Sequence, residues 1–142
     1  MNEKTALASG EMVLRKESAS KNRYILIVDD EPRIVRSLIR ELSGWAEDEG
    51  YTMEGAVIGI QALEFIRNHV GEVELVISDI RMPGMSGGRM AREIIEQHPD
   101  VRVIVLTAYE DTEEINKDEV DSFITKPWDT ESLIREIERV LA

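Results

Sequence analysis

Residues 73–90 read VELVISDIRMPGMSGGRM. The stretch opens on an apolar run, Val73, Leu75, Val76 and Ile77, and stops at Ser78-Asp79. It then turns through Pro83, Gly84, Gly87 and Gly88 before a helical pattern begins. A short apolar run bounded by turn residues predicts a buried strand, and Pro and Gly mark the loop after it. Asp79 is thereby placed at the carboxyl end of a strand, where open α/β sheets hold ligands.

The alternation extends on both sides. Tyr24-Ile25-Leu26-Ile27-Val28 predicts a strand buried on both faces, ended by Asp29-Asp30-Glu31-Pro32. Pro32 suits the first position of a helix, and Ile34, Val35, Leu38, Ile39, Leu42, Trp45 and Ala46 keep helical spacing until Gly50. A weaker strand is expected over 51–57. A second helix over 59–69 turns Ala62, Leu63, Ile66 and Val70 to one side. After the central strand, a third helix over 87–98 buries Met90, Ala91, Ile94 and Ile95 and stops at Pro99. VRVIVL at 101–106 predicts a fourth strand, ending in Thr107-Ala108. The acidic segment 110–119 has one large aliphatic residue, Ile115, and predicts a poor, short helix. Residues 120–125 predict a fifth strand, ending in Lys126-Pro127, and 131–141 a last helix burying Leu133, Ile134, Ile137, Val140 and Leu141. Five strands alternating with five helices imply a doubly wound α/β fold. It is flavodoxin-like, with a five-stranded parallel sheet in order 2-1-3-4-5. Residues 1–22 show no sustained period and read as a flexible N-terminal extension, with the folded domain over 23–142.

Composition narrows the function classes. A chain of 142 residues suits one domain with a real core. No apolar run approaches the roughly 20 residues of a membrane span. With no cysteine there is no disulfide framework or thiolate metal site, which fits a reducing, cytoplasmic setting. The net charge of -12 argues against direct nucleic-acid binding and against docking on anionic lipid. Residues 1–23 carry five basic and three acidic side chains, so the excess of acid lies beyond them.

The polar residues fall at strand ends: Asp29 and Asp30 after the first, Asp79 after the third, Thr107 after the fourth, Lys126 after the fifth. In that strand order the three carboxylates flank the switch point between strands one and three. Carboxylates so close repel, so either one keeps a proton or a cation sits among them. Oxygen-only donors favour a hard ion such as Mg²⁺ (or Mn²⁺). A hard ion beside a lysine suits a phosphoryl group, with a carboxylate as nucleophile. Taken singly, Asp29-Asp30 before Pro32 reads as a helix cap, Asp79 as a loop residue, Lys126 as a solvated charge and Thr107 as a strand-end hydroxyl. Their joint placement at matching strand ends favours the functional reading. His69 and His98 lie near helix ends and read as structural.

VDDEP at 28–32, SDIRMPGMSG at 78–87, TAY at 107–109 and ITKP at 124–127 resemble the receiver domain of two-component response regulators, of the chemotaxis-receiver-like kind, over residues 24–142. The resemblance implies that Asp79 is the phosphoacceptor. It implies Mg²⁺ held directly by Asp30, Asp79 and the Arg81 carbonyl, and through water by Asp29. Lys126 would bind a phosphoryl oxygen and Thr107 another after phosphorylation, with Phe123 as the switch aromatic. Arg81 and Tyr109 would tune the phosphoryl lifetime, and the bond before Pro127 would be cis. One region departs from the family pattern: Thr107 to Lys126 spans only 19 positions, which shortens the segment that normally signals.

Three functions compete. The first is a phosphoacceptor in a phosphorelay, taking its phosphoryl group from a histidine kinase or histidine phosphotransfer protein. It acts on a downstream protein target or a fused output domain, without turnover beyond self-phosphorylation and slow autodephosphorylation. The second is a haloacid-dehalogenase-like phosphatase, which wants its two acids as Asp-x-Asp, whereas here the doublet is adjacent. The third is a receiver-shaped interaction module that no longer uses phosphate. The complete residue set favours the first.

Overall fold

The computed structural model describes residues 22–82, 84–107 and 117–142. Five parallel strands, β1 (Tyr24–Val28), β2 (Thr52–Ala56), β3 (Val73–Asp79), β4 (Arg102–Thr107) and β5 (Ser122–Thr125), form one sheet in the order β2-β1-β3-β4-β5. The expected fold class and strand order are both observed. Four α-helices lie among the described residues: α1 (Pro32–Glu49), α2 (Gly59–Asn68), α3 (Gly87–Gln97) and α4 (Thr130–Leu141). Of the weak helix expected over 110–119, only a 3₁₀ turn at Lys117–Glu119 falls within the described residues. The rest, with the expected extension at 1–21, lies outside them.

The central strands β1, β3 and β4 alternate their side chains between two cores, which is why they read as apolar runs. Ile25, Ile27, Leu75, Ile77, Ile104 and Leu106 meet α1 and α4 through Val35, Leu38, Leu42, Leu133 and Ile137. On the other face Leu26, Val28, Val76, Val103 and Val105 meet α2 and α3 through Ala62, Leu63, Ile66, Met90 and Ile94. Pro32 opens α1, and Gly50 closes it in a left-handed conformation at φ 84°, its N–H reaching the Ala46 and Glu47 carbonyls. Trp45 stacks on Tyr51, and its Nε1 donates to Glu138 of α4. His69 and His98 are the residues that end α2 and α3, and His69 stacks on Phe65.

Three expectations are corrected. Ile95 is only half-buried, outside the buried set of α3, because it lies at the edge of the face that Met90, Ala91 and Ile94 turn inward. Val70 does not face the core: α2 ends at Asn68, and Val70 sits in the following turn, 73% exposed. The fifth strand begins at Ser122, not Val120. Asp121 binds Val103 from both sides, its N–H donating to the Val103 carbonyl and its carboxylate accepting from the Val103 N–H. A side chain there does the work of a strand rung, which period and propensity do not reveal.

Candidate functional site

The parallel sheet brings all its carboxyl ends to one edge. Val28 pairs with Ser78, Asp79 with Leu106 and Thr107 with Thr125. Asp29 follows β1 and holds the sheet register by donating its N–H to the Ala56 carbonyl at 3.1 Å. Asp79 ends β3, Thr107 ends β4, and the Lys126 N–H donates to the Thr107 carbonyl at 2.9 Å.

The three carboxylates converge. One oxygen from each of Asp29, Asp30 and Asp79 lies within 4.8 Å of the others. The adjacent aspartates are not equivalent: Asp30 is exposed, whereas Asp29 is 2% exposed. The Asp29 Oδ1 accepts the Glu31 N–H at 2.9 Å, and its Oδ2 is buried with no hydrogen-bond partner among the described residues. Burial, more than the neighbouring Asp79 and Asp30 charges, pushes the Asp29 carboxyl up to about 6. A buried oxygen without a donor, on a residue clustered with two further carboxylates, fits a hard divalent cation.

On the other side of Asp79 stands Lys126, its Nζ 3.5 Å from Asp79 Oδ1. The Arg81 N–H approaches the same oxygen at 3.4 Å, while the Arg81 side chain is exposed. Thr107 is fully buried at its strand end. Phe123 is half-buried and packs on the α2–α3 core. The Lys126–Pro127 bond is cis, and Trp128 beyond it is half-buried against the α1–α4 core. Tyr109 lies outside the described residues. Thus the structure gathers Asp29, Asp30, Asp79 and Lys126 into one cluster, with Thr107 at the tip of the strand between Asp79 and Lys126.

Comparison with known proteins assigns the family, because residues 25–138 match the model of the response regulator receiver domain. The chain belongs to this family. The chain is 29% identical over 137 residues to the sensor kinase CckA of Brucella abortus, covering 94% of this chain and 14% of that protein. It is 35% identical over 124 residues to the transcriptional regulatory protein GlrR of Escherichia coli, covering 85% of this chain and 27% of GlrR. It therefore spans less than a third of the length of these two relatives. Among solved structures, the response regulator TrrA of Thermotoga maritima, in complex with Mg²⁺ and BeF, matches with TM-score 0.72 and 35% identity over 84% of this chain and 99% of that one. A receiver domain from Clostridium thermocellum matches with TM-score 0.74 and 26% identity over 84% and 94%. No helix among the described residues of the receiver is long and apolar enough to cross a membrane.

One residue of the site was legible only as punctuation. Gly87 reads in the sequence as a turn glycine, yet its α-carbon packs against the backbone of Asp79 itself. No spacing signals such a contact.

Proposed function

We propose that this receiver accepts a phosphoryl group on Asp79 and thereby switches a protein-binding surface. The observation that carries the reading is the pair of opposite neighbours around one carboxylate: Asp29 and Asp30 on one side, Lys126 on the other. Asp79 is chosen over its neighbours because it is the carboxylate that the ammonium approaches. Asp29 is buried, and one of its oxygens is already engaged by the Glu31 N–H. Asp30 is the remaining alternative acceptor, being exposed.

Asp30 and Asp79, with the Arg81 carbonyl, would hold Mg²⁺ (or Mn²⁺), and Asp29 would act through water. The ion would supply positive charge to the phosphoryl oxygens. An Asp79 oxygen attacks phosphorus, the P–N bond of a phosphohistidine or the P–O bond of acetyl phosphate breaks, and the leaving group departs with that electron pair. Lys126 neutralises a phosphoryl oxygen, and the Thr107 hydroxyl serves another once the acyl phosphate exists. Phe123 reports the change, and Arg81 and Tyr109 set the lifetime.

The donor is a histidine kinase or histidine phosphotransfer protein, and the output is a protein target or a fused domain. Kinship with a sensor kinase and a transcriptional regulator supports a module that serves larger proteins. Turnover beyond slow self-dephosphorylation is not part of this reading, and its setting is the cytoplasm. The functional unit is residues 23–142, supported by Arg23 bonding to Glu49, Tyr51 and Glu74. The test is intact mass after incubation with Mg²⁺ and acetyl phosphate, with Asp79→Asn and Asp30→Asn beside the natural chain.

A further inference from the structure

Resting on that reading of Asp79, the geometry points to Gly87 as a positioning residue for the phosphoacceptor, acting through the Asp79–Ile80 peptide. A Cβ at 87 would stand 2.1 Å from the Asp79 carbonyl oxygen, 2.7 Å from the Ile80 Cα and 3.0 Å from the Asp79 carbonyl carbon. All three are backbone atoms, so no rotamer change relieves the clash. One side must move, by more than an ångström at the oxygen, since ordinary contacts begin near 3.4 Å.

Helix α3 is the side that holds. Met90, Ala91 and Ile94 are fully buried, and the Gly87 N–H donates to the Ile80 carbonyl at 2.9 Å. The Ser86 hydroxyl caps the helix by accepting the Arg89 N–H at 3.1 Å. Ile80 is itself fully buried, but the loop beyond it reaches solvent at Arg81 and Gly84, so the peptide at the strand end has room to turn. Turning that peptide turns the Asp79 side chain, whose distances to Lys126 and to the Asp29–Asp30 pair make the site. The bare α-carbon of Gly87 therefore sets where the Asp79 carboxylate stands.

Two other glycines provide the controls. A Cβ at Gly55 would meet the Val35 Cγ1 at 2.5 Å, a clash of side chain rather than acceptor backbone, on the opposite face of the sheet from α3. Gly44 lies inside α1 with nothing within 4 Å, so Gly44→Ala gives a stabilised background. The experiment measures Tm, Mg²⁺ affinity and the rate of acetyl phosphate labelling for the natural chain, Gly55→Ala, Gly87→Ala and Gly44→Ala/Gly87→Ala. Gly87→Ala is expected to label about 100-fold more slowly and to bind Mg²⁺ more weakly. The double variant regains Tm without regaining either, and Gly55→Ala loses Tm while keeping both. Labelling and Mg²⁺ affinity at the natural level in folded Gly87→Ala would overturn the proposal. So would losses no larger than those of Gly55→Ala at equal Tm, or a double variant that does not fold. Should the natural chain bind Mg²⁺ yet never label, the reading of Asp79 as acceptor fails, while Mg²⁺ affinity still decides the role of Gly87.

Discussion

The Lys126 Nζ reaches Asp79 Oδ1 at 3.5 Å across an intervening strand, since β4, ending in the buried Thr107, lies between β3 and β5. Asp79, Thr107 and Lys126 thus stand at the carboxyl ends of three adjacent strands. On the proposed reading, Lys126→Ala removes the charge that would meet the phosphoryl oxygens but leaves the acidic cluster intact. Labelling by acetyl phosphate is expected to persist, slowed on the order of 100-fold, with no loss of Mg²⁺ affinity. Rate measurement by intact mass and calorimetric titration check the two halves. An unchanged rate would remove Lys126 from the site.

Asp29 is expected to make stability depend on pH and on Mg²⁺. Its carboxyl is raised in the folded state from the ordinary 3.8 to about 6. The stability owed to its protonated form is fully present below 3.8 and is lost as pH rises through about 6. At about 1.4 kcal/mol per pH unit, that amounts to at most about 3 kcal/mol in metal-free protein. Asp29→Asn is expected to be more stable than the natural chain at neutral pH without metal, because an amide can donate to the neighbouring carboxylates. It should also gain less from Mg²⁺. Urea unfolding at pH 5 and pH 7.5, with and without Mg²⁺, measures both effects. Equal Mg²⁺ stabilisation of the two proteins would count against Asp29 as part of the cation site.

The hydroxyl of Ser86 fixes the first turn of α3 behind the loop that follows Asp79. Ser86→Ala is expected to cost about 1 kcal/mol, read as a shift in urea midpoint at constant slope. A null result would mean that water replaces the cap.

Residue 23 should mark the start of the folded unit. The Arg23 guanidinium donates to Glu74, to the Glu49 carbonyl and to the Tyr51 hydroxyl. A chain starting at Asn22 is expected to unfold like the full chain. Arg23→Ala is expected to lose stability of up to about 1 kcal/mol, since the ion pair is exposed. Thermal unfolding distinguishes the two, and a large loss on truncation would move the boundary.

Much of this was legible because parallel strands buried on both faces write themselves as apolar runs. Tyr24–Val28 and the carboxylates at the strand ends needed no tertiary information. What stayed hidden was three-dimensional. Adjacent aspartates look alike in sequence, but the chain turns between them, so Asp29 is buried and Asp30 exposed. Asp121 substitutes a carboxylate for a strand rung, which shortened β5. Val70 kept helical spacing past the point where α2 had ended. The approach of Gly87 to Asp79 depends on how a helix seats on a strand end.

The most direct test of the central claim is intact mass after incubation with Mg²⁺ and acetyl phosphate. The natural chain and Asp30→Asn are both measured beside Asp79→Asn. One phosphoryl adduct is expected on the natural chain, absent with EDTA and absent in Asp79→Asn. An adduct retained by Asp79→Asn and lost in Asp30→Asn would place the acceptor on Asp30. No adduct on any of them would contradict a phosphoacceptor role and leave a receiver that works by binding alone.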